Sequence, residues 1–189
     1  MTKLNNTTVL VPLAQGCEEL EAVTIIDLLV RADVRVMTAS LDENKVITAS
    51  RGVQLIAQKT LDEVLNIEFD MVVLPGGLPG ADYLNQDERI LAILKRTVKS
   101  GNRVAAICAA PKVLVSSGLL EGKKATSFPG VIDKLPAKEM IYVTDSVVED
   151  GLIITSRGPG TAIDFTLKLI ERLKGLEVKN AVESGLQRN

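Results

Sequence analysis

Histidine and tryptophan are absent from this chain, and cysteine occurs only twice, at Cys17 and Cys108. Without an imidazole, neither a Cys–His dyad nor a Ser–His–Asp triad can form, so any acid–base chemistry must use another side chain. Two cysteines so far apart do not make a disulfide framework. We therefore expect both to be free thiols in a reducing compartment.

An excess of charge of either sign is also missing, since 22 basic and 24 acidic residues are interspersed along the chain. No basic stripe is available for phosphate backbones, so we predict no sequence-specific nucleic acid binding. No apolar run approaches the roughly 18 residues of a membrane span, and the first residues lack the apolar region of a signal peptide. We expect a cytoplasmic protein without membrane contact, folded as a single domain over residues 1–189.

Short apolar runs alternate with amphipathic stretches. The runs predict strands at 8–14, 34–40, 69–74 and 103–107, a hairpin or a small excursion at 45–49 and 53–58, and short strands at 124–127, 141–144 and 152–155. Helices are predicted at 18–31, 61–66, 87–99 and 161–174. Because the strands are apolar on both faces, the pattern predicts an α/β fold with a mostly parallel sheet between two helical layers. The polar tail after Gly175 is assigned no structure.

Ligands of such a sheet bind beyond the carboxyl ends of its strands. Three segments fall at that edge, namely 16–21, 75–81 and 108–111. The candidate functional residues are therefore sought in these three segments.

Cys108 lies in the stretch AAICAAP, between a predicted strand and the start of a helix. Ala106 and Ala110 are small enough for the sharp turn that presents a nucleophile, as in the G-x-S-x-G elbow of hydrolases. Pro111 suits the first turn of the helix that follows. A helix N-terminus favours the thiolate, so we expect a lowered thiol pKa. The alternative is a cysteine that serves as a small buried apolar residue.

Three acids, Glu18, Glu19 and Glu21, fall in the first turn of the predicted helix 18–31. Carboxylates suit that end of a helix, so a solvated acidic face is one explanation. Glu18 and Glu21 both share a face with apolar residues, and their spacing does not choose between them. A carboxyl buried beside a thiol would have a raised pKa and could carry protons in a site without histidine.

Two glycine-containing segments complete the candidate site. Gly76 and Gly77 would let backbone amides approach a ligand, as an oxyanion hole requires, although Pro-Gly-Gly is also an ordinary turn after a strand. The segment 156–160 opens the last predicted helix and is either an anion-binding start or a plain helix start. The turn at Gly76 and Gly77 is not a G-x-G-x-x-G loop, and the GCEE after the first strand lacks the required glycines too, which disfavours a dinucleotide site.

Four motifs in consistent order resemble the ThiJ/PfpI superfamily, in particular its branch of Parkinsonism-associated deglycase and bacterial YajL proteins. They read QGCEELEAV, VVLPGGLPGA, AAICAAP and TSRGPGTA, and the match runs to about Gly175. The resemblance implies a flavodoxin-like three-layer sandwich, a homodimer, and a site without cofactor or metal.

The resemblance also implies roles for particular residues. Cys108 would be the nucleophile and Glu21 a protonated acid facing its sulfur. The amides of Gly77 and Ala109 would be the oxyanion donors. Arg51 matches an arginine that family members bring to the partner's active site across the dimer. Arg31 matches a second basic residue near it.

The chain departs from parts of the superfamily at three positions. Ala109 follows the nucleophile where protease-like members have histidine, which argues against a Cys–His peptidase. Phe128 precedes a proline, as in the bacterial branch; the human-type branch has histidine at this position. Cys17 stands where a small residue is expected, and a resolving thiol is one possible role for it.

Relatives of this type imply chemistry on small α-oxoaldehydes. The first hypothesis is a cofactor-independent glyoxalase that converts methylglyoxal to lactate, or a deglycase that removes methylglyoxal and glyoxal adducts from proteins and nucleotides. The second hypothesis is a redox-responsive stress protein or chaperone in which Cys108 is oxidised.

Overall fold

The computed structural model describes residues 7–135 and 137–188. The strands are β1 (Thr8–Leu13), β2 (Arg35–Ser40), β3 (Val46–Thr48), β4 (Gln54–Ile56), β5 (Lys59–Thr60), β6 (Met71–Leu74), β7 (Arg103–Ile107), β8 (Lys124–Ala125), β9 (Ile141–Tyr142), β10 (Val147–Asp150) and β11 (Ile153–Ser156). The helices are α1 (Glu19–Arg31), α2 (Gly80–Gln86), α3 (Glu88–Lys99), α4 (Pro111–Ser116), α5 (Ala162–Lys174) and α6 (Leu176–Gly185).

Seven strands form the central sheet in the order β10-β11-β7-β6-β1-β2-β5. All neighbouring pairs are parallel except β10 with β11. Strand β3 pairs antiparallel with β4, and β8 pairs parallel with β9, each as a separate two-stranded sheet. The predicted α/β class with a mostly parallel sheet is confirmed.

Alternate residues of the central strands enter two apolar cores, because successive side chains of a strand point to opposite faces. Val9 and Val11 of β1 belong to the core that also contains buried residues of α1, α5 and α6. Leu10, between them, belongs to the core on the other face, with buried residues of α2, α3 and α4. The three layers follow directly from strands that are apolar on both faces.

Four elements were not predicted, and one of them, β5, lies just beyond the predicted segment 53–58. Helix α2 begins at Gly80, immediately after a proline, and these two residues read as a turn. Its start is determined by tertiary packing, because a Cβ built on Gly80 would lie 2.6 Å from the amide nitrogen of Cys17. Strand β10 pairs at the sheet edge, and α6 occupies the tail that was left without structure.

Several other predicted elements are shorter in the structure than in the prediction. The predicted helix 61–66 is a single 3-10 turn, Asp62–Val64. The predicted strands 124–127 and 141–144 are only two residues long, and they form their own small sheet. The hairpin 45–58 is confirmed as the β3–β4 pair. Among the described residues, no helix is both long and apolar enough to cross a membrane.

Candidate active site

Cys108 occupies a strained turn between β7 and α4. Its φ is +64°, in the left-handed region that residues other than glycine seldom adopt, which typically costs about 1–3 kcal/mol. The turn is held by two backbone hydrogen bonds: the Cys108 amide donates to Ser156 O (3.0 Å), and the Phe128 amide donates to Cys108 O (2.9 Å). Ala106 and Ala110 are fully buried on either side. The predicted nucleophile elbow is confirmed as a backbone conformation.

The three segments predicted at the carboxyl edge of the sheet meet there. A Cβ built on Gly77 would lie 2.2 Å from the Glu18 amide nitrogen, and one on Gly76 would lie 2.7 Å from Cys108 Cβ. Gly77 has a φ of +88°. Glycine is therefore required at Gly76 by the close approach of the Cys108 and Glu21 side chains and of Ile107 O, and at Gly77 by the close approach of neighbouring backbone and by its conformation.

Glu21 is the acid that reaches the site. Its side chain is fully buried in the first turns of α1, and its Oε2 accepts a 2.8 Å hydrogen bond from the Gly76 amide. Its Oε1 is buried and makes no hydrogen bond of ordinary geometry with the described residues. Burial raises the pKa of Glu21 to about 7, although the Gly76 amide and the Cys108 thiol lower it. The predicted upward shift is confirmed.

Glu18 and Glu19 bind the turn between β3 and β4 instead of the thiol. The Ser50 hydroxyl donates to Glu18 Oε2 (2.9 Å) and to Glu19 Oε2 (3.0 Å), and the Arg51 amide donates to Glu19 Oε1 (2.9 Å). These hydrogen bonds fix the turn between β3 and β4 against α1. The solvated-face interpretation is wrong for Glu19, which is buried, as well as for Glu21. Sequence analysis missed Glu19 because its partners come from a distant turn.

The expectation of a lowered thiol pKa is wrong. Burial, followed by the charge and hydrogen bonding of Glu21, raises the pKa of Cys108 to about 12, while the amides of Gly77 and Ala109 lower it. Helix α4 has only six residues, so its dipole does not compensate for desolvation. The sulfur is a thiol at neutral pH and becomes a thiolate readily only by passing its proton to Glu21.

The amides of Gly77 and Ala109 both reach the sulfur, since each lowers its pKa by backbone hydrogen bonding. The structure therefore brings together the four predicted residues Cys108, Glu21, Gly77 and Ala109. Converging amides at this position can stabilise an oxygen anion on an atom bonded to the sulfur.

The two predicted arginines lie elsewhere in this chain. The Arg51 side chain is exposed, and its Nη1 donates to Ser50 O at 3.4 Å. Arg31 ends α1, about 15 Å along the helix from Glu21 at about 1.5 Å per residue, and forms a 2.7 Å ion pair with Asp27. Neither is brought to Cys108 within one chain, so their predicted roles depend on a second copy.

Cys17 is buried and not disulfide-bonded. Burial, followed by the charge of Glu19, raises the pKa of its thiol to about 12. It follows β1 at the same edge of the sheet as Cys108, as predicted. A buried thiol with a raised pKa is a poor nucleophile, which weighs against the resolving role.

A cleft of about 420 Å³ lies beside the sulfur. Its lining residues are Phe128, Pro129, Ser146, Arg157, Gly158, Pro159, Gly160 and Thr161. A Cβ built on Gly158 would lie 3.9 Å from Cys108 Sγ, so the cleft adjoins the thiol. Larger clefts of about 460 and 470 Å³ lie around Arg89 and Arg31. The smaller cleft is the candidate substrate cleft because its lining residue Gly158 adjoins the sulfur of Cys108.

Metal chemistry was not predicted, and the described residues include no group of three or more histidine, cysteine, aspartate or glutamate side chains placed to hold a metal ion.

Comparison with known proteins gives one consistent result. The model of the DJ-1/PfpI family matches residues 7–172. Protein dj-1beta of Drosophila melanogaster is 42% identical over 178 residues, which cover 94% of this chain and 95% of the fly protein. Glutathione-independent glyoxalase DJR-1.2 of Caenorhabditis elegans is 36% identical over 168 residues, 89% of each protein.

Protein DJ-1 homolog B of Arabidopsis thaliana is 44% identical over 170 residues, 89% of this chain, but the chain spans only 38% of that protein's length. Among solved structures, Drosophila melanogaster DJ-1beta superimposes with a TM-score of 0.92 at 40% identity, covering 97% of this chain and 99% of that one. Oxidised Toxoplasma gondii DJ-1 gives 0.91 at 41% identity, covering 95% and 97%. The predicted flavodoxin-like sandwich is confirmed.

Proposed function

This chain belongs to the DJ-1/PfpI family, and we propose that it is a cofactor-independent cysteine enzyme acting on small α-oxoaldehydes. The observation that carries the proposal is the pairing of the Cys108 thiol with the buried Glu21 carboxyl at the carboxyl edge of the sheet. A relative named glutathione-independent glyoxalase supports the reaction class.

The first step is addition of sulfur to the aldehyde carbon. The Glu21 carboxylate takes the thiol proton as the S–C bond forms, because a base with a pKa of about 7 is half ionised at neutral pH. The aldehyde oxygen becomes the oxyanion of a hemithioacetal. It is stabilised by the amides of Gly77 and Ala109, which already converge on the sulfur.

The second step moves hydrogen between the two carbonyl carbons of methylglyoxal. Glu21 first passes the thiol proton to the hemithioacetal oxyanion and is a carboxylate again; the hemithioacetal carbon then loses its proton to give an enediol, and a proton is returned to the neighbouring carbon, which leaves a lactoyl thioester on Cys108. Glu21 is the group placed to carry this proton. Water then attacks the thioester, lactate leaves, and the thiol regains its proton, so the net reaction is methylglyoxal plus water to lactate.

A deglycase would use the same groups on a substrate that already carries an amine or thiol on the aldehyde carbon. Sulfur then displaces that group, and Glu21 protonates the leaving amine. Free methylglyoxal released by a reversible adduct would be consumed by the glyoxalase reaction. The two activities therefore share Cys108 and Glu21 and must be separated by kinetics.

A homodimer belongs to this proposal, and α1 supplies the surface. Leu20, Val23 and Val30 are 50%, 47% and 57% exposed along one face of the helix. Ile56 of β4 is another exposed apolar residue, at 76%. Several exposed apolar residues on one helix face are typical of protein–protein contacts. Pairing through α1 and the hairpin would place the exposed Arg51 at the partner's site, where its charge would favour anionic intermediates.

Redox sensing is the second candidate. Oxidation of Cys108 by two molecules of peroxide would give a sulfinate and two molecules of water. The buried Oε1 of Glu21 has no protein partner of ordinary geometry among the described residues, so a protonated Glu21 could donate to a sulfinate oxygen. An oxidised relative, from Toxoplasma gondii, has been solved.

The test is formation of D- and L-lactate from methylglyoxal without glutathione, with intact mass recording the reduced thiol. We expect many turnovers by the wild-type protein and by Cys17→Ala, and a loss of at least about a hundredfold in Cys108→Ser, since the covalent step is removed. Absence of turnover with Cys108 verifiably reduced would reject the glyoxalase activity and favour the redox role.

A further inference from the structure

The cleft beside Cys108 contains a cation that no acid neutralises. Arg157 lines this cleft, and its Nη1 donates a 3.0 Å hydrogen bond to Thr144 O. Arg89 and Arg172, by contrast, each form ion pairs with two acids. Arg157 has no ion-pair partner in the part of the chain that the structure describes.

The hydrogen bond to Thr144 holds the guanidinium in place but uses only one of its five N–H donors. Arginine side chains recognise carboxylates through two parallel N–H donors. The Arg157 guanidinium lines the cleft, is fixed at one nitrogen, and therefore has donors left for an anion.

The other residues that line the cleft are uncharged. Thr161 Oγ1 is already hydrogen-bonded to Ser156 Oγ and to the Gly158 backbone. The Phe128 ring forms an apolar wall, 3.3 Å from a Cβ built on Gly158. An organic anion that enters here would meet one aromatic surface, one cation and, past Gly158, the sulfur of Cys108.

We propose that this cleft is a subsite for the carboxylate of a carbonyl substrate, with Arg157 as the anion-binding residue and Phe128 as the wall against its carbon skeleton. The substrate class is then an aldehyde or aldehyde adduct that carries a carboxylate beyond the reacting carbonyl. This inference rests on the proposed function only for the identity of the reacting group, Cys108.

The experiment uses alkylation of Cys108, which needs no turnover. Iodoacetate and iodoacetamide each form an S–CH₂ bond and release iodide, with the thiol proton passing to Glu21 or solvent, and only iodoacetate carries a carboxylate. The rate ratio of the two reagents is measured by intact mass in a Cys17→Ala background, for the parent, Arg157→Gln, Arg157→Lys and Arg96→Gln. Arg96 is a matched control because it also donates to a backbone carbonyl, that of Ile67.

The iodoacetate-to-iodoacetamide ratio should fall about fivefold in Arg157→Gln, as expected for loss of one charge-assisted contact at a partly exposed site. It should fall less in Arg157→Lys and stay unchanged in Arg96→Gln. An unchanged ratio in Arg157→Gln, or equal slowing of both reagents, would overturn the subsite. Loss of methylglyoxal turnover with an intact ratio effect would overturn only the glyoxalase proposal.

Discussion

The Gly76 amide donates a 2.8 Å hydrogen bond to Glu21 Oε2, and this bond fixes α1 to the end of β6 directly beneath Cys108. A Cβ on Gly76 would lie 2.8 Å from the same oxygen and 2.9 Å from Ile107 O. Position 76 therefore controls both the charge state of the acid and the space available to it. The proton relay depends on backbone packing as much as on the two reactive side chains.

Gly76→Ala should disrupt this arrangement. The added methyl group must displace the Cys108 side chain or the Glu21 carboxyl, so we expect a loss of about 1–3 kcal/mol in the free energy of unfolding and loss of methylglyoxal turnover. Gly185→Ala is the control, because nothing lies within 4 Å of its built Cβ. Urea denaturation and lactate assays check both. Wild-type turnover in Gly76→Ala would contradict the packing argument.

The burial of Glu21 makes stability depend on pH. The pKa of Glu21 is about 7 in the folded protein and ordinarily 4.5, so folding favours the protonated carboxyl. That stabilisation is complete below about pH 4.5 and is lost as the pH rises through about 7. Glu21→Gln removes this titration, so the free energy of unfolding of the variant minus that of the wild type should rise by about 2.5 kcal/mol between pH 5 and pH 8. A difference independent of pH in urea titrations would contradict the shift.

The pKa of Glu21 should also determine how the rate with methylglyoxal depends on pH. Addition of sulfur requires that the Cys108–Glu21 pair has lost one of its two protons, whichever atom retains the other. The value of kcat/KM for methylglyoxal should therefore rise with pH through about 7, the pKa of Glu21. In Glu21→Gln the residual rate should lack this inflection and should rise only with ionisation of the Cys108 thiol. A wild-type profile that is flat between pH 6 and pH 8 would exclude Glu21 as the proton acceptor.

The outline of the fold could be predicted from local pattern, because strands apolar on both faces require helices on both sides. β7 was predicted with its observed bounds, 103–107. α2 could not be predicted, since Pro79 and Gly80 form a helix start only when packed against the Cys17 backbone.

The site was predictable only where a local sequence pattern determines its structure. The elbow at Cys108 has a local signature of small residues, whereas the choice of Glu21 over Glu18 came from a family resemblance. The direction of the thiol pKa was predicted wrongly, because the local rule for helix N-termini omits the desolvation that tertiary packing imposes.

The exposed face of α1 should control assembly. We expect Val23→Glu to lower the average mass measured by light scattering toward that of one chain, because a charge would be buried without a partner. Ile141→Lys is a matched control, since Ile141 is 53% exposed on β9, away from α1. A variant that keeps the mass of two chains would place the contact elsewhere and remove the argument for Arg51 in the partner's site.

The left-handed conformation of Cys108 should reverse the usual order of alanine and glycine. Alanine at a φ of +64° retains the steric conflict between Cβ and backbone, whereas glycine adopts this region freely. Cys108→Gly should therefore be more stable than Cys108→Ala by about 1 kcal/mol in urea denaturation. Ala106→Gly, in the preceding strand, is the control: there glycine should lower the free energy of unfolding relative to alanine, because glycine destabilises a strand. If Cys108→Ala were the more stable variant, the turn would relax on loss of the thiol, and the strain would come from the sulfur's own contacts rather than from the backbone.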